Sequence, residues 1–367
     1  MKEYYLSSEL KERLISYLTK FVENKGVSGN ANKNIALAKT LLDSMDVPCK
    51  VISHNGVNSL LTDKSKIILN SHVDVVPGKE SQFKVIIKDG KLFGRGSSDA
   101  LGCAVGLLVA VQELHRLGKN VTLMLVSDEE TGGRDGTKHV LENEFSEEER
   151  KNIAFAIVGE PTQNFGFNIR EKGILKIGLT VNGKVGHVGS SALEDNPIRI
   201  ASQIIDEIDR CDLATKKSGE YERVVNFNPV IIKGGEADNV IAESVKLKYN
   251  IRFAHNIKEE EIISFFEGLK KKYNFTFEIL SSRPASYTDT DNYYFKRLAN
   301  ITQADHNICS EGSDLSYFSA LDIPGTVYGV QGDRWHTHEE YVDIESLYRY
   351  TENIINFILE GKNGNIY

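Results

Sequence analysis

The chain has little of what would set it apart from ordinary globular proteins. Seven prolines and 30 glycines among 367 residues are too few for a collagen-like or low-complexity chain, and 40% apolar residues supply the core that a disordered chain lacks. Four cysteines, Cys49, Cys103, Cys211 and Cys309, lie far apart with no CxxC pair, so neither a disulfide framework nor a thiolate zinc site is expected. There is no basic surplus from which to build a phosphate-neutralising face: 44 Lys and Arg stand against 52 Asp and Glu, a net charge of −8, which argues against nucleic acid as a partner. The longest apolar run, Leu101 to Val111, is about half of the roughly 20 residues a bilayer span requires. The opening segment MKEYYLSSELKERL is charged throughout and lacks an apolar signal core, so a cytoplasmic protein without a membrane partner is expected.

At roughly 100–200 residues per domain the length predicts two domains. Apolar residues recur at helical spacing from Ser7 to Asn24 and from Asn32 to Met45. Short apolar runs then follow at Lys66–Asn70, Val121–Val126 and Ile153–Val158, with a helical pattern at Leu101–Leu117 between the first two. Strands alternating with helices predict an α/β fold with a mostly parallel sheet covered on both faces. The middle of the chain changes character. Ile174–Asn182 (strand), Pro197–Ile208 (helix), Val224–Ile232 and Val245–Phe253 (strands), Glu259–Lys271 (helix) and Phe275–Leu280 (strand) follow one another, the β-α-β-β-α-β order of a ferredoxin-like α+β sandwich. The alternation then resumes through Tyr293–Asn300, Thr326–Val330 and Ile344–Ile358. The expectation is a catalytic domain over 1–173 and 284–367 with a lid and dimerisation domain, 174–283, inserted into it.

The chemistry-bearing residues fall just beyond strand ends. His72 and Asp74 follow the run at 66–70, Asp99 precedes the helix at 101–117, Glu129 and Glu130 follow 121–126, Glu160 follows 153–158, and His336 follows 326–330. In an open α/β sheet such ends share one edge, and ligands bind outside it. Several carboxylates gathered there repel one another unless cations offset them. Two divalent ions answer this, with Asp99 between them and imidazole and carboxylate ligands on each side. Nitrogen and oxygen donors without thiolate suit Zn²⁺, with Co²⁺ or Mn²⁺ as alternatives. Asp74, two residues beyond His72, is placed to accept the imidazole's other N–H. Of the neighbours Glu129 and Glu130, which point in opposite directions, one can bind metal and the other can serve as the general base of a hydrolase. Gly94-Arg95-Gly96 is too short for a phosphate loop, Asp99 also stands where a helix N-cap would, and Cys103 reads as packing.

Asn70-Ser71-His72-Val73-Asp74, Gly94-Arg95-Gly96-Ser97-Ser98-Asp99, Ser127-Asp128-Glu129-Glu130-Thr131-Gly132-Gly133 and Val158-Gly159-Glu160-Pro161-Thr162 closely resemble the successive motifs of the M20 metallopeptidase and deacylase family. The resemblance implies His72, Asp99, Glu130, Glu160 and His336 as metal ligands, Asp99 as the bridge and Glu129 as the base. His336 is chosen over His338 because it stands four residues before Glu340, the family's spacing. Gly186-His187-Val188-Gly189 resembles the segment whose histidine stabilises the oxyanion of the partner subunit. Asn239 and Arg252 resemble substrate contacts, the arginine pairing with a carboxylate, and Gly312 and Ser313 resemble part of a substrate loop. Pattern alone offers plainer roles: a turn for His187 and Asn239, a solvent-facing position for Arg252, a helix cap for Ser313. The implied activity is removal of an acetyl or succinyl group from an N-acyl amino acid by a homodimer joined through the inserted domain. A di- or tripeptidase or an aminocarboxypeptidase is the alternative within the family, and a non-catalytic binder of amino-acid derivatives the alternative outside it.

Overall fold

Ile67–His72, Thr122–Val126 and Phe155–Gly159 are buried at every position, as strands covered on both faces must be. They form the parallel centre of a nine-stranded sheet, with Ile67–His72 hydrogen-bonded to both others and Gly325–Val327 parallel to Phe155–Gly159. The computed structural model describes residues 3–162, 166–189, 195–217, 222–309 and 311–360. Antiparallel strands flank the parallel centre: the hairpin Cys49–His54 and Val57–Thr62 on one side, and Phe167–Glu171 on the other. The expected α/β fold with a mostly parallel sheet is therefore present, with antiparallel edges added. Leu69 and Ile67 enter the apolar core on one face of the sheet, and Ile68 the core on the other.

The helix Leu101–Arg116 is buried along nearly its whole length and lies against Ile344–Leu359. Close approach requires Gly106, where a Cβ would stand 2.8 Å from Tyr350 Cδ1. Side-chain caps set several helix starts: Ser7 Oγ accepts the Leu10 N–H, and Asp343 Oδ1 accepts the Ser346 N–H. A smaller antiparallel sheet, unanticipated from the sequence, joins Ile86–Lys88, Lys91–Phe93, Tyr341–Asp343 and Gly332–Asp333. It ties the loop ahead of Asp99 to the loop that carries His336. No helix among the described residues is long and apolar enough to cross a membrane. All four cysteines are free, and Cys103 is buried.

The chain divides into two units. The first holds the nine-stranded sheet; the second runs from Glu171 to Ser286, slightly beyond 174–283 at both ends, and takes in Gly312. The second unit is a four-stranded antiparallel sheet in the order Val225–Gly234, Ser244–Phe253, Gly173–Asn182, Phe275–Arg283. In chain order that is 2-3-1-4, the ferredoxin-like arrangement. Pro197–Arg210 and Glu259–Lys270 cover one face, burying Ile204, Ile208, Ile262 and Phe266 against Ile177, Leu179, Tyr249 and Ile251. A two-stranded ribbon, Gly186–His187 with Val240–Ile241, is added to this plan.

Phe266 is the hub of that core, its ring centroid 6.2 Å from Phe227, 6.2 Å from Tyr249 and 5.8 Å from Phe277. Phe266→Ala should therefore destabilise the protein by about 3–5 kcal/mol. Denaturant unfolding measures this, and the metal content of the folded fraction should not change, because the candidate ligands all lie in the first unit.

Candidate metal centre

The acidic and imidazole groups enter from strand ends and from the loop ahead of a helix. His72 closes the strand Ile67–His72, Glu160 follows Phe155–Gly159, Asp99 precedes Leu101–Arg116, and Glu129 and Glu130 open a short 3-10 turn after Thr122–Val126. Because these strands are parallel neighbours, their ends coincide in space. His72 Nε2 lies 3.4 Å from Asp99 Oδ1 and 3.4 Å from Glu160 Oε2. His336 Nε2 lies 3.1 Å from Asp99 Oδ2 and 3.4 Å from Glu130 Oε1. Two groups of three result, His72-Asp99-Glu160 and Asp99-Glu130-His336, each with its ligand atoms within 4.8 Å of one another and sharing Asp99 through different oxygens.

The donor sets fit divalent cations. Ligand atoms held tetrahedrally at bonds of ~2.1 Å stand about 3.4 Å apart, the spacing found here. His72 Nε2 and Glu130 Oε1 are buried without a hydrogen-bond partner, and both point into these groups. Left to themselves the groups redistribute protons. Burial works against a charged His72, but Glu160 beside it, with Asp74 and Asp99, holds its pKa well above the ordinary value. Asp99 and Glu130 push His336 up to about 10. Burial raises Glu160 well above the usual carboxylate range, and the two imidazoles outweigh burial at Asp99 and hold it below that range. Cation binding at these groups must release protons.

Asp74 faces His72 through both its backbone carbonyl and its carboxylate. His72 Nδ1 lies 2.8 Å from the backbone carbonyl of Asp74 and 3.3 Å from its carboxylate Oδ1. The closer acceptor fixes the imidazole tautomer with its proton on Nδ1, leaving Nε2 as the donor toward a cation. The fully buried carboxylate of Asp74 also accepts the N–H groups of Glu129 at 3.1 Å and Glu130 at 3.2 Å, and the Ser28 hydroxyl at 2.9 Å. It clamps the backbone of the acidic pair. That turn ends through Gly133 at φ 66°, where a Cβ would stand 2.3 Å from Asp314 Oδ1, so both conformation and space require glycine.

Arg95 and Glu340 were not singled out for a role from the sequence, yet they hold the backbone at Asp99 and His336. Arg95 Nη1 donates to Glu340 Oε2 at 2.9 Å, both residues being buried, and Glu340 Oε1 accepts the N–H groups of Ser98 at 3.3 Å and Asp99 at 3.2 Å. Arg95 Nη2 also reaches the His336 carbonyl at 3.4 Å. His336 sits at φ 60°, a backbone conformation that costs a non-glycine residue about 1–2 kcal/mol, and this contact helps to hold it. The only sequence signal was the His336–Glu340 spacing, used as a ruler rather than as a contact.

Other predicted residues fall elsewhere. His338 Nδ1 faces Gln82 Oε1 at 3.2 Å and joins neither three-residue group. His187, exposed in the ribbon, stands opposite Val240, next to Asn239, whose carbonyl accepts the Val188 N–H at 3.4 Å. The Gly189 N–H donates to His187 Nδ1 at 3.2 Å, which sets the neutral imidazole with its proton on Nε2. Arg252 shares a row of the second unit's sheet with Arg283, whose Nη1 donates to the Gly312 carbonyl at 2.8 Å. Ser313 Oγ accepts the Leu315 N–H at 3.2 Å just ahead of the helix Leu315–Ala320, whose N-cap position is Asp314.

Comparison with known proteins adds three findings. Residues 68–360 match peptidase family M20/M25/M40. Succinyl-diaminopimelate desuccinylase of Rickettsia bellii is 28% identical over 327 residues, covering 82% of this chain and 82% of that protein. The enzyme of the same name from Buchnera aphidicola is 28% identical over 312 residues, covering 79% and 82%. Among solved structures, aminopeptidase PepT of Bacillus cereus superposes with a TM-score of 0.75 at 16% identity over 95% of this chain and 99% of that one. A dinuclear metal-binding M20 peptidase of Bacillus subtilis superposes with 0.68 at 12% identity over 96% and 98%. At such identities the structural likeness speaks for the fold.

The two histidines at the last site position separate cleanly by experiment. His336→Ala should lower metal occupancy and activity by at least the ~10–100-fold that follows loss of a supporting residue, whereas His338→Ala should leave occupancy near that of the unaltered protein. Metal analysis after equilibrium dialysis gives the ranking, and the reverse order would move the ligand two residues along.

Proposed function

The chain belongs to peptidase family M20/M25/M40 and is a hydrolase of amide bonds, and on that footing we propose that it removes an acetyl or succinyl group from an N-acyl amino acid at a two-cation centre. The observation that carries this is the pair of three-residue groups sharing Asp99, with Glu129 on the same clamped turn as Glu130. The choice of a deacylase draws support from relatives named as desuccinylases that align over about four-fifths of the chain.

In this reading His72, Asp99 and Glu160 hold one cation, Asp99, Glu130 and His336 the other, and Zn²⁺ is the best match to the donors, with Co²⁺ or Mn²⁺ next. Bound there, the cations lower the pKa of the attacking water and polarise the acyl carbonyl. Glu129 takes the proton of that water and later delivers it to the leaving amine. The Asp74 carboxylate, by fixing the N–H groups of residues 129 and 130, keeps the base and the neighbouring ligand in register. The Nε2–H form of His187 is the one that donates to a developing oxyanion. Arg252 pairs with the substrate carboxylate, and Asn239, Gly312 and Ser313 complete its contacts.

We place the dimer contact on the second unit. Its edge strand Val225–Gly234 exposes Val230 (57%), Ile231 (38%) and Ile232 (60%), an unpaired apolar edge of the kind that pairs with a second copy. His187 then completes the partner subunit's site.

Glu129→Gln should retain both cations and lose activity, since the amide keeps the size and cannot accept a proton; Glu130→Gln should instead weaken cation binding. Metal analysis and a hydrolysis screen of N-acetyl and N-succinyl amino acids against dipeptides test both points. Loss of metal from the first variant with retention in the second would reverse the two roles. For the dimer, Glu129→Ala and His187→Ala chains, each inactive, should recover activity at about a quarter of sites after subunit exchange, because one site of each heterodimer escapes both lesions. Exchange without recovery would place His187 outside the partner's site.

A further inference from the structure

The second unit's sheet has helices on one face only, and the other face carries an ordered set of charges. Side chains alternate along a strand, and directly opposed residues of antiparallel strands share a face. The strand Ser244–Phe253 buries Val245, Leu247, Tyr249, Ile251 and Phe253, so Lys246, Lys248, Asn250 and Arg252 project from the uncovered face. Register extends this across the sheet. Arg252 and Arg283 both oppose Ile174 from its two sides. One row away Lys176 opposes Asn250, in the next Lys248 opposes Gly178, and beyond it Lys246 opposes both Thr180 and Lys233. The acidic groups that answer them are few: Glu278 opposes Gly178 on the same face, and Glu311 acts on Arg252.

This is a cationic ladder in a protein whose net charge is −8. Lys176, Lys233, Lys246 and Lys248 are exposed, and no ion pair to a described carboxylate involves any of them. Lys246 directly opposite Lys233 is a like-charge pair that costs the sheet stability. The buried core does not call for it, since Val245 and Leu247 supply the packing from the other face. Rows two residues apart are about 7 Å apart along the strands. That is less than the Debye length of about 8 Å at physiological ionic strength, so the potentials of successive rows overlap as far as Arg252.

We propose that this face is an electrostatic guide, gathering net-anionic substrates and passing them to Arg252, so that N-acyl amino acids are favoured over zwitterionic peptides and over the released amino acid. The inference rests on the reading of Arg252 as the carboxylate partner. Acylation removes the ammonium charge of an amino acid and leaves its carboxylate, and a succinyl group adds a second negative charge. Hydrolysis restores the ammonium group, so a released amino acid with an uncharged side chain is a zwitterion of zero net charge that the same field no longer retains, while the acetate or succinate released with it stays anionic.

The test is kcat/KM for an N-succinyl amino acid, an N-acetyl amino acid and a neutral dipeptide, all on the metal-loaded protein. Ionic strength is varied from about 0.01 to 0.15 M, where the Debye length shrinks from about 30 to 8 Å. Values should fall roughly tenfold for the succinyl substrate and about threefold for the acetyl substrate, and stay level for the dipeptide. Lys246→Glu/Lys248→Glu, which changes none of the candidate cation ligands, should lower the low-salt kcat/KM of the anionic substrates about tenfold with kcat unchanged and flatten the salt dependence. Lys270→Glu/Lys271→Glu alters net charge equally at the end of the helix Glu259–Lys270 and should leave both quantities alone; thermal unfolding checks that each variant is folded. A Lys246/Lys248 variant with the original salt dependence, or a dipeptide as salt-sensitive as the succinyl substrate, overturns the guide. Absence of turnover for every N-acyl amino acid overturns the deacylase reading instead, and an acidic dipeptide compared with a neutral one then decides the guide by itself.

Discussion

Three carboxylates and two imidazoles gathered in two groups that share Asp99 are an electrostatic problem that the rest of the fold has to contain. Asp99, Glu130 and Glu160 repel, and burial deepens the penalty for charge on Asp99 and Glu160. In protein groups alone the strain is relieved only by moving protons onto His72, His336 and Glu160. Divalent cations relieve it without protons, which is why so costly an arrangement is stable in a hydrolase of this family.

Containing the problem is the task of residues that carry no chemistry themselves. Asp74 and Glu340 each spend a buried carboxylate on backbone N–H groups, the first at Glu129 and Glu130, the second at Ser98 and Asp99. Arg95 balances Glu340, and breaking such a buried pair costs about 3–5 kcal/mol because the remaining charge is left unanswered. The two carboxylates thus each fix the main chain of a pair of residues that includes a candidate ligand. A side chain on a fixed backbone has few rotamers left, and that keeps ligand atoms at spacings of 3.1–3.4 Å.

The second unit handles charge in the opposite sense. Over the whole chain the net charge is −8. Yet the alternation of Lys246, Lys248 and Arg252 with buried apolar residues directs the cations to one face, while the helices cover the other. Net charge describes what a protein meets at long range; what a substrate meets within a Debye length depends on which charges share a face.

The parallel centre, the ferredoxin-like order of the second unit and the placement of His72, Asp99, Glu130, Glu160 and His336 at strand ends could all be read from the chain, because hydrophobic period and local turn chemistry write themselves into consecutive residues. The helices at Ser8–Glu23, Leu101–Arg116 and Ile344–Leu359 fall within a residue or so of the stretches their periodicity indicates. What tertiary structure alone decided are pairings between distant segments: Arg95 with Glu340, the Asp74 carboxylate with the backbone of Glu129 and Glu130, and Lys233 opposite Lys246. Periodicity says which face a residue takes but not which neighbour it meets there. A partner 245 positions away leaves no mark on local pattern, since its position depends on strand order and register, which only the closed sheet sets.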